Sequence, residues 1–239
     1  MSAFDVARTA THQALDSPRT RLCSIRFAEK DWELSSARRI RREVFVSEQG
    51  IFSDDDKDRF DAVALNLIAV FPCVEINPTT LQAGNTAAEE VMGTVRIHGG
   101  RFPDKAVPSS SHERVWWGSR LAVAAERRGF VTAATGLIRT AVASAVALGC
   151  DRFFAHIQPA NRRLFKRVGW REIELVEFEN RSHWLVEADL SQFDPSQVLN
   201  DELINQIRKL TGSPLSKSPA LSHLSSDLCS MEVATSAST

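Results

Sequence analysis

Apolar and polar positions alternate or recur along most of the chain and divide it into short strands and helices. Strand-like patterns cover residues 21–27, 65–76, 90–98, 115–124, 152–157, 170–178 and 182–190. Apolar positions at three- and four-residue steps predict helices over residues 31–46, 134–148, 159–168 and 198–210. The order predicts a mixed α/β fold with a βαβ unit in its second half.

The spacing of apolar positions changes most abruptly, from every second residue to every three or four, between the strand that ends near residue 124 and the helix that follows it. A basic turn with Arg127 and Arg128 leads there into a helix rich in small residues. The first N–H groups of a helix lack internal partners and the helix dipole favours an anion, so this junction suits a pyrophosphate. Close packing of the small residues against a sheet is the alternative interpretation.

Composition narrows the classes of function without selecting one. The 239 residues carry 29 basic and 30 acidic side chains, a net charge of −1, which gives no overall field to hold nucleic acid or an anionic membrane. The four cysteines are scattered without metal-ligand spacing, so we expect no metal. Residues 1–18 contain no apolar signal region, and we expect a cytoplasmic protein that binds neither nucleic acid nor membrane.

The predicted elements define one domain with a tail at each end. We expect a flexible segment over residues 1–20, the α/β domain over 21–190 and a C-terminal extension over 191–239. The extension contains the predicted helix 198–210, followed by a serine-rich flexible tail.

The junction resembles the signature of GNAT acetyltransferases. In that family Leu-Ala-Val ends a strand and Arg-x-x-Gly-x-Gly/Ala opens the next helix; here Leu121-Ala122-Val123 is followed by Arg128, and Val131 stands at the family's central glycine. The resemblance implies that acetyl-CoA is the cosubstrate and that the following residues bind it: Leu121, Ala122, Val123, Arg128, Gly129, Phe130, Val131, Thr132, Ala133 and Ala134.

Two further segments are similar to GNAT members. Asn161 to Trp170 resembles the family's Asn-containing helix, which implies that Asn161 and Phe165 also contact CoA. The segment from Ile40 to Phe52 contains Val-Phe-Val-Ser-Glu-Gln, which resembles a GNAT subgroup and, more distantly, acyl-homoserine-lactone synthases. With Gly93-Thr-Val-Arg-Ile and Trp116-Trp-Gly-Ser-Arg, it is similar to acetyltransferases encoded in bacterial nitrilase gene clusters.

The resemblance implies the GNAT fold: a twisted, mostly antiparallel sheet that splays between its fourth and fifth strands and is flanked by helices. It implies direct transfer of acetyl from acetyl-CoA to an amine, with the backbone N–H of Val123 binding the thioester oxygen. GNAT members are frequently dimers, so a homodimer is expected.

The amine must lose a proton, and the sequence offers several groups to accept it. Glu48 and Asp61 are the first candidates for the base because their segments would border the acceptor pocket; His98 and Glu113 remain open. Asp61 could instead pair with Arg41 or Arg42. The chain has no tyrosine, so the CoA thiolate would leave unassisted, take a proton from water or use a group such as His156. Packing within a strand is the alternative role of His156.

The acceptor is expected to be a small amine. Phe45, Arg96 and Trp117 are predicted to contact it, with Trp116 on the opposite face of the sheet from Trp117. The acidic run over residues 54–61 favours a cationic metabolite, with a solvated loop as the alternative.

Two other functions remain open. One is an acyl-homoserine-lactone-synthase-like acyltransferase, and the other is a non-catalytic GNAT-fold sensor that binds acyl-CoA, because fold alone does not settle function.

Overall fold

A computed structural model describes residues 23–73, 88–100, 112–128 and 131–211. The predicted N-terminal segment and the serine-rich tail lie outside these residues. Among the helices in the described ranges, none has both the length and the apolar character needed to cross a membrane.

Seven strands form one mixed sheet in the order β1-β2-β3-β4-β5-β7-β6. Strands β4 and β5 pair in parallel, and the other neighbouring pairs are antiparallel. The strands are β1 (Ser24–Phe27), β2 (Leu65–Cys73), β3 (Ala88–Gly99), β4 (Val115–Val123), β5 (Arg152–Ile157), β6 (Trp170–Phe178) and β7 (Arg181–Ala188). The predicted mostly antiparallel α/β sheet is therefore confirmed.

Helices cover both faces of the sheet. They are α1 (Asp31–Arg42), α2 (Val131–Ala147), α3 (Arg162–Arg167), α4 (Pro195–Val198) and α5 (Asp201–Thr211). Helix α2 packs into the main core, where Leu137 and Val142 are fully buried with Phe153 of β5. Helix α1 packs against the opposite face, where Ile40 lies beside Ile68 of β2. After the roles that the sequence predicts for them, we call these the cofactor face and the acceptor face, respectively.

Helix α1 ends in a wide turn that the sequence pattern did not predict. Residues Glu43–Glu48 form a π-helix, in which the N–H of Gln49 donates to the carbonyl of Val44 five residues earlier, at 3.0 Å. Such turns are rare and are often found at functional sites. The turn carries Phe45 to the edge of the central cavity described below.

The C-terminal helix belongs to the same core as the sheet. Helix α5 lies where a helix over residues 198–210 was expected, and its Leu203 and Ile207 are buried in the main cluster. Gln206 donates to the carbonyl of Phe27 at 3.0 Å and accepts from its N–H at 2.9 Å, so the helix is hydrogen-bonded to β1. The folded core therefore extends past residue 190, where we placed the domain boundary.

Candidate active site

A cleft opens in the sheet where β4 and β5 separate. Their parallel pairing begins at Val115 and Arg152 and ends at Gly118 and Ala155, while β4 continues to Val123. A Cβ on Gly118 would lie 3.0 Å from the ring of Phe153, so glycine leaves room for this ring at the vertex. The expected splay between the fourth and fifth strands is present.

A β-bulge shapes the wall of this cleft. The β3–β4 register passes from Thr94 opposite Ala122 to Arg96 opposite Ser119, which gives β4 one extra residue. Arg120 lies in the bulge with a φ of 55°, a conformation that costs energy for a residue with a side chain. Two hydrogen bonds from its guanidinium to the carbonyl of Asp56, at 3.0 and 2.8 Å, hold it there.

The backbone of Val123 faces the cleft. The N–H of Ala124 donates to the carbonyl of Met92 on β3 at 2.9 Å. Because peptide groups alternate in direction along a strand, the N–H of Val123 points away from β3, toward the side that β5 has left. The carbonyl of Val123 accepts a hydrogen bond from Nε of Arg128 at 3.0 Å on the same side. This geometry suits the predicted donor to a thioester oxygen.

Helix α2 begins beside this strand end. Its first residue is Val131, and Ala133 is buried two residues later. Gly129 and Phe130 lie outside the described residues, as do the side chains of Val131 and Thr132, so their predicted contacts with CoA stay predictions. Arg128 lies at the same turn, where its guanidinium pairs with Glu48 at 2.6 Å.

A cavity of about 120 Å³ occupies the cleft and has walls on both faces of the sheet. Ile138 and Ala141 of α2, with Phe153, Phe165 and Asn161, form its wall on the cofactor face. The wall on the acceptor face consists of Phe45, Phe52, Trp117, His156, Phe178 and His183. The cavity thus connects the predicted cofactor region with the predicted acceptor region.

The aromatic rings of the acceptor face contact one another in a row. The His156 ring lies 5.3 Å from Trp117 and stacks on Phe178 at 5.1 Å, with planes 21° apart. Phe178 meets His183 edge-on at 5.6 Å. Such contacts between rings are favourable beyond the area they bury and fix the shape of the wall.

A compact group of charges lies behind the bulge. We call it the ion-pair cluster; it contains Arg41, Arg96, Arg120, Asp56, Asp58 and Asp61. Each arginine contacts two of the aspartates, at 2.6 to 3.2 Å. The cluster contains three positive and three negative groups, so its net charge is zero.

Asp61 is held in its charged form by the cluster. Burial alone would raise its pKa, but hydrogen bonds from Arg41 and the N–H of Asp58, with the charge of Arg96, lower the pKa to about 2. A carboxylate with so low a pKa is a weak proton acceptor. Asp61 therefore suits the alternative that the sequence left open, an ion pair with Arg41, better than the role of base.

The predicted site residues fall into two groups. Leu121, Phe45, Trp117, Asn161 and Phe165 line the cavity. The second group is not among its lining residues in the described chain: Glu48, Asp61, Arg96, Ala122, Val123, Arg128, Ala133 and Ala134. Arg96 is fully buried, with Nε donating to Ser119 at 2.9 Å. Trp116 packs on the cofactor face and Trp117 on the other, as alternation predicted.

Several cavity residues were not predicted. Arg120 lines the cavity only because the bulge turns it there, and no sequence signal marks the bulge apart from the Trp-Trp-Gly-Ser-Arg motif itself. Phe178 and His183 come from the β6–β7 hairpin, and their alternation could have placed them on one face, but not beside β4.

Comparisons with known proteins support the fold. No protein-family model matches the chain, and no curated protein matches it. Among solved structures, a Lactobacillus plantarum protein assigned as an N-acetyltransferase matches with a TM-score of 0.52 and 19% identity, covering 71% of this chain and 99% of its own. ElaA of Escherichia coli matches with a TM-score of 0.50 and 15% identity, covering 70% of this chain and 98% of its own.

These likenesses establish the architecture: the chain has the fold of GNAT-type acyl-CoA N-acyltransferases. At such low identity they show the fold alone. The finer resemblance to acetyltransferases of nitrilase gene clusters stays a prediction.

Proposed function

We propose that the protein transfers acetyl from acetyl-CoA directly to the amine of a small metabolite. The observation that carries the proposal is the cleft, where the N–H of Val123 points to the side that β5 has left. The cavity in this cleft is lined by Leu121, two residues before Val123, and by Ile138 and Ala141 of α2, and it reaches the opposite face of the sheet. A thioester and an amine can meet there from opposite sides without a covalent enzyme intermediate.

In the proposed reaction the amine nitrogen attacks the thioester carbonyl carbon, a C–N bond forms, and the C–S bond breaks. The N–H of Val123 binds the oxygen as negative charge develops on it, an interaction of about 3 kcal/mol where single donors of this kind have been removed. The amine proton passes to a group in the cavity and can finally protonate the CoA thiolate, which balances the reaction.

We assign the acceptance of this proton to an imidazole. His156 and His183 line the cavity, and histidine is the side chain whose charge ordinarily changes near neutral pH. His156 lies on β5 immediately after Ala155, the last residue paired with β4, and is therefore at the opening of the cleft. Glu48 faces Arg128 and Asp61 lies in the ion-pair cluster, so neither is placed as well.

Binding of acetyl-CoA tests the proposal most directly. A Thr132→Glu variant places a negative charge in the first turn of α2, where it should repel a diphosphate and weaken acetyl-CoA binding by at least about tenfold, or about 1.4 kcal/mol. An acidic residue in the first turn stabilises a helix, so loss of binding would not reflect loss of the helix. Isothermal titration calorimetry gives the Kd.

Thr132→Gln is the matched control, because it has the size of the glutamate without its charge. We expect it to bind acetyl-CoA within about threefold of the unsubstituted protein. Equal Kd values of acetyl-CoA for the glutamate and glutamine variants would show that the diphosphate does not bind at the first turn of α2. Absence of any heat or thermal shift with acetyl-CoA and CoA would overturn the acetyltransferase proposal.

A further inference from the structure

The acidic run of the sequence does not provide a free negative charge to the cavity. Asp56, Asp58 and Asp61 all pair with arginines of the ion-pair cluster, and the pKa values of Asp58 and Asp61 are held low despite burial. No aspartate or glutamate is among the described residues that line the cavity. A second ammonium group on an acceptor would therefore find no carboxylate counter-ion there.

The member of the ion-pair cluster that reaches the cavity is an arginine that is already paired. Arg120 lines it, with its guanidinium 4.5 Å above the ring of Phe52 and paired to Asp56 and Asp58 at 3.1 and 3.2 Å. Because the cluster is neutral, an ammonium moved out of water to a place beside this arginine loses its hydration and gains no net attraction in return. This cost acts against a polyamine or other dication.

The rest of the acceptor wall is suited to an apolar body. Trp117, Phe178 and the two histidines present ring surfaces from the sheet, and Phe45 and Phe52 present rings from the π-helix and the loop after it. Rings recognise planar or aliphatic groups by burial and stacking, at about 25 cal/mol for each Å² of apolar surface removed from water.

We infer that the acceptor is a primary amine on an uncharged aromatic or aliphatic body, and not a polyamine. The inference rests on the proposed function, because it assigns the amine to the acceptor face of the same cavity. It reverses the expectation drawn from the acidic run, since three of its five aspartates are neutralised inside the protein. The other two, Asp54 and Asp55, are exposed and are not among the lining residues of the cavity.

A matched pair of amines tests the inference with the full chain. n-Pentylamine and putrescine have nearly the same length, but a methyl group in the first replaces an ammonium group in the second. We expect kcat/KM for acetylation of n-pentylamine and of phenethylamine to exceed that for putrescine by at least about tenfold. Equal or better acetylation of putrescine would overturn the inference.

Substitution of one wall residue adds a switch of specificity. Phe178 is half-buried, so Phe178→Glu should be tolerated and should supply the carboxylate that the wall lacks. We expect it to raise the putrescine to n-pentylamine ratio of kcat/KM by at least about tenfold, while Phe178→Leu leaves the preference for n-pentylamine in place. An unchanged ratio in the glutamate variant would contradict the assigned location of the amine's body.

Binding separates this inference from the proposed reaction. Each amine is titrated calorimetrically into the complex of the protein with CoA, which requires no turnover. If no amine is acetylated but n-pentylamine and phenethylamine bind at least about tenfold more tightly than putrescine, the acceptor class stands and the acetyltransferase proposal fails. If putrescine binds as tightly, or no amine binds, the acceptor class is wrong.

Discussion

The two faces of the sheet at the cleft differ in the groups that form the proposed site: mainly backbone groups on one face and side chains on the other. On the cofactor face, the groups proposed to bind acetyl-CoA are mainly backbone: the N–H of Val123 and the first turn of α2, within one continuous segment. On the acceptor face, the cavity is made of side chains from the π-helix, β4, β5 and the β6–β7 hairpin, with the ion-pair cluster behind them.

This difference determines what each face tolerates. A backbone site depends on where a helix and a strand end, so many side-chain changes should leave it intact. A site made of packed rings and buried charges depends on each partner, because removal of one leaves others unsatisfied. The acceptor face should therefore carry more of the stability of the fold in single side chains than the cofactor face does.

The largest effect is expected at Arg96, in the ion-pair cluster. Its side chain is fully buried and pairs with Asp58 at 2.7 Å and Asp61 at 2.8 Å. An Arg96→Met variant keeps much of the volume but leaves both carboxylates without this partner, which should lower the free energy of unfolding by about 3–5 kcal/mol. Urea unfolding followed by tryptophan fluorescence measures the loss.

Arg39 provides the control. It also pairs with a carboxylate, Glu43 at 3.0 Å, but both side chains are about half exposed. An Arg39→Met variant should lose no more than about 0.5 kcal/mol. Similar losses in the two variants would mean that the cluster does not stabilise the acceptor face.

A somewhat smaller effect is expected from pH, through His98 on β3. Burial lowers its pKa from 6.5 to about 4, and its ring stacks on Phe60 at 4.1 Å between centroids. The folded pKa lies below the unfolded one, so the unfolded state binds the proton first and stability falls as the pH drops from about 6.5 to about 4. Over this range, protonation of His98 in the unfolded state should lower the free energy of unfolding by about 3 kcal/mol.

A His98→Phe variant keeps a ring for Phe60 to stack on and removes this titration. Unfolding free energies at pH 7.5 and 4.5 should therefore differ less in the variant, by about 2–3 kcal/mol, after the contribution of all other groups cancels between the two proteins. An identical pH dependence in both would show that His98 is not held neutral by burial.

The difference between a backbone site and a side-chain site also explains how much of the fold and of the candidate site could be predicted from the sequence. The strands and helices follow from local periodicity, and β5 spans residues 152–157 as predicted. The acetyl-CoA site from Leu121 to Ala134 could be predicted because a backbone site would leave a continuous motif. The π-helix and the bulge at Arg120 were missed because each changes the backbone by a single residue, without a change in the hydrophobic pattern.

Most of the acceptor face could not be predicted in this way, because apart from Phe45 and Trp117 its residues were found together only in the folded chain. The acidic run from residue 54 looked like a free charged surface, since nothing local shows that Arg96 and Arg120, which lie 35 to 64 positions after the aspartates they contact, pair with it. Gln49 and Gln158, which are joined across the cleft by a 2.8 Å hydrogen bond, are 109 positions apart. The contacts of these residues therefore depend on the tertiary fold, and the local sequence pattern does not reveal them.

The smallest effect is expected at Glu48, which the sequence offered as a base. Its carboxylate pairs with Arg128 at 2.6 Å at the turn before α2, and both side chains are partly exposed. An exposed pair is worth about 0–1 kcal/mol, so Glu48→Gln should change the Kd of acetyl-CoA by no more than about threefold. Steady-state kinetics should likewise give a kcat within about threefold of the unsubstituted protein.

The contrast with His156 makes this small effect informative. Loss of a general base lowers kcat by about 10²–10⁴, which is the result we expect for His156→Gln, with the affinity for acetyl-CoA preserved. If Glu48→Gln loses activity on that scale and His156→Gln does not, the proton leaves by the carboxylate at the cofactor edge. The two faces would then share the chemistry, and the division between a backbone face and a side-chain face would describe binding alone.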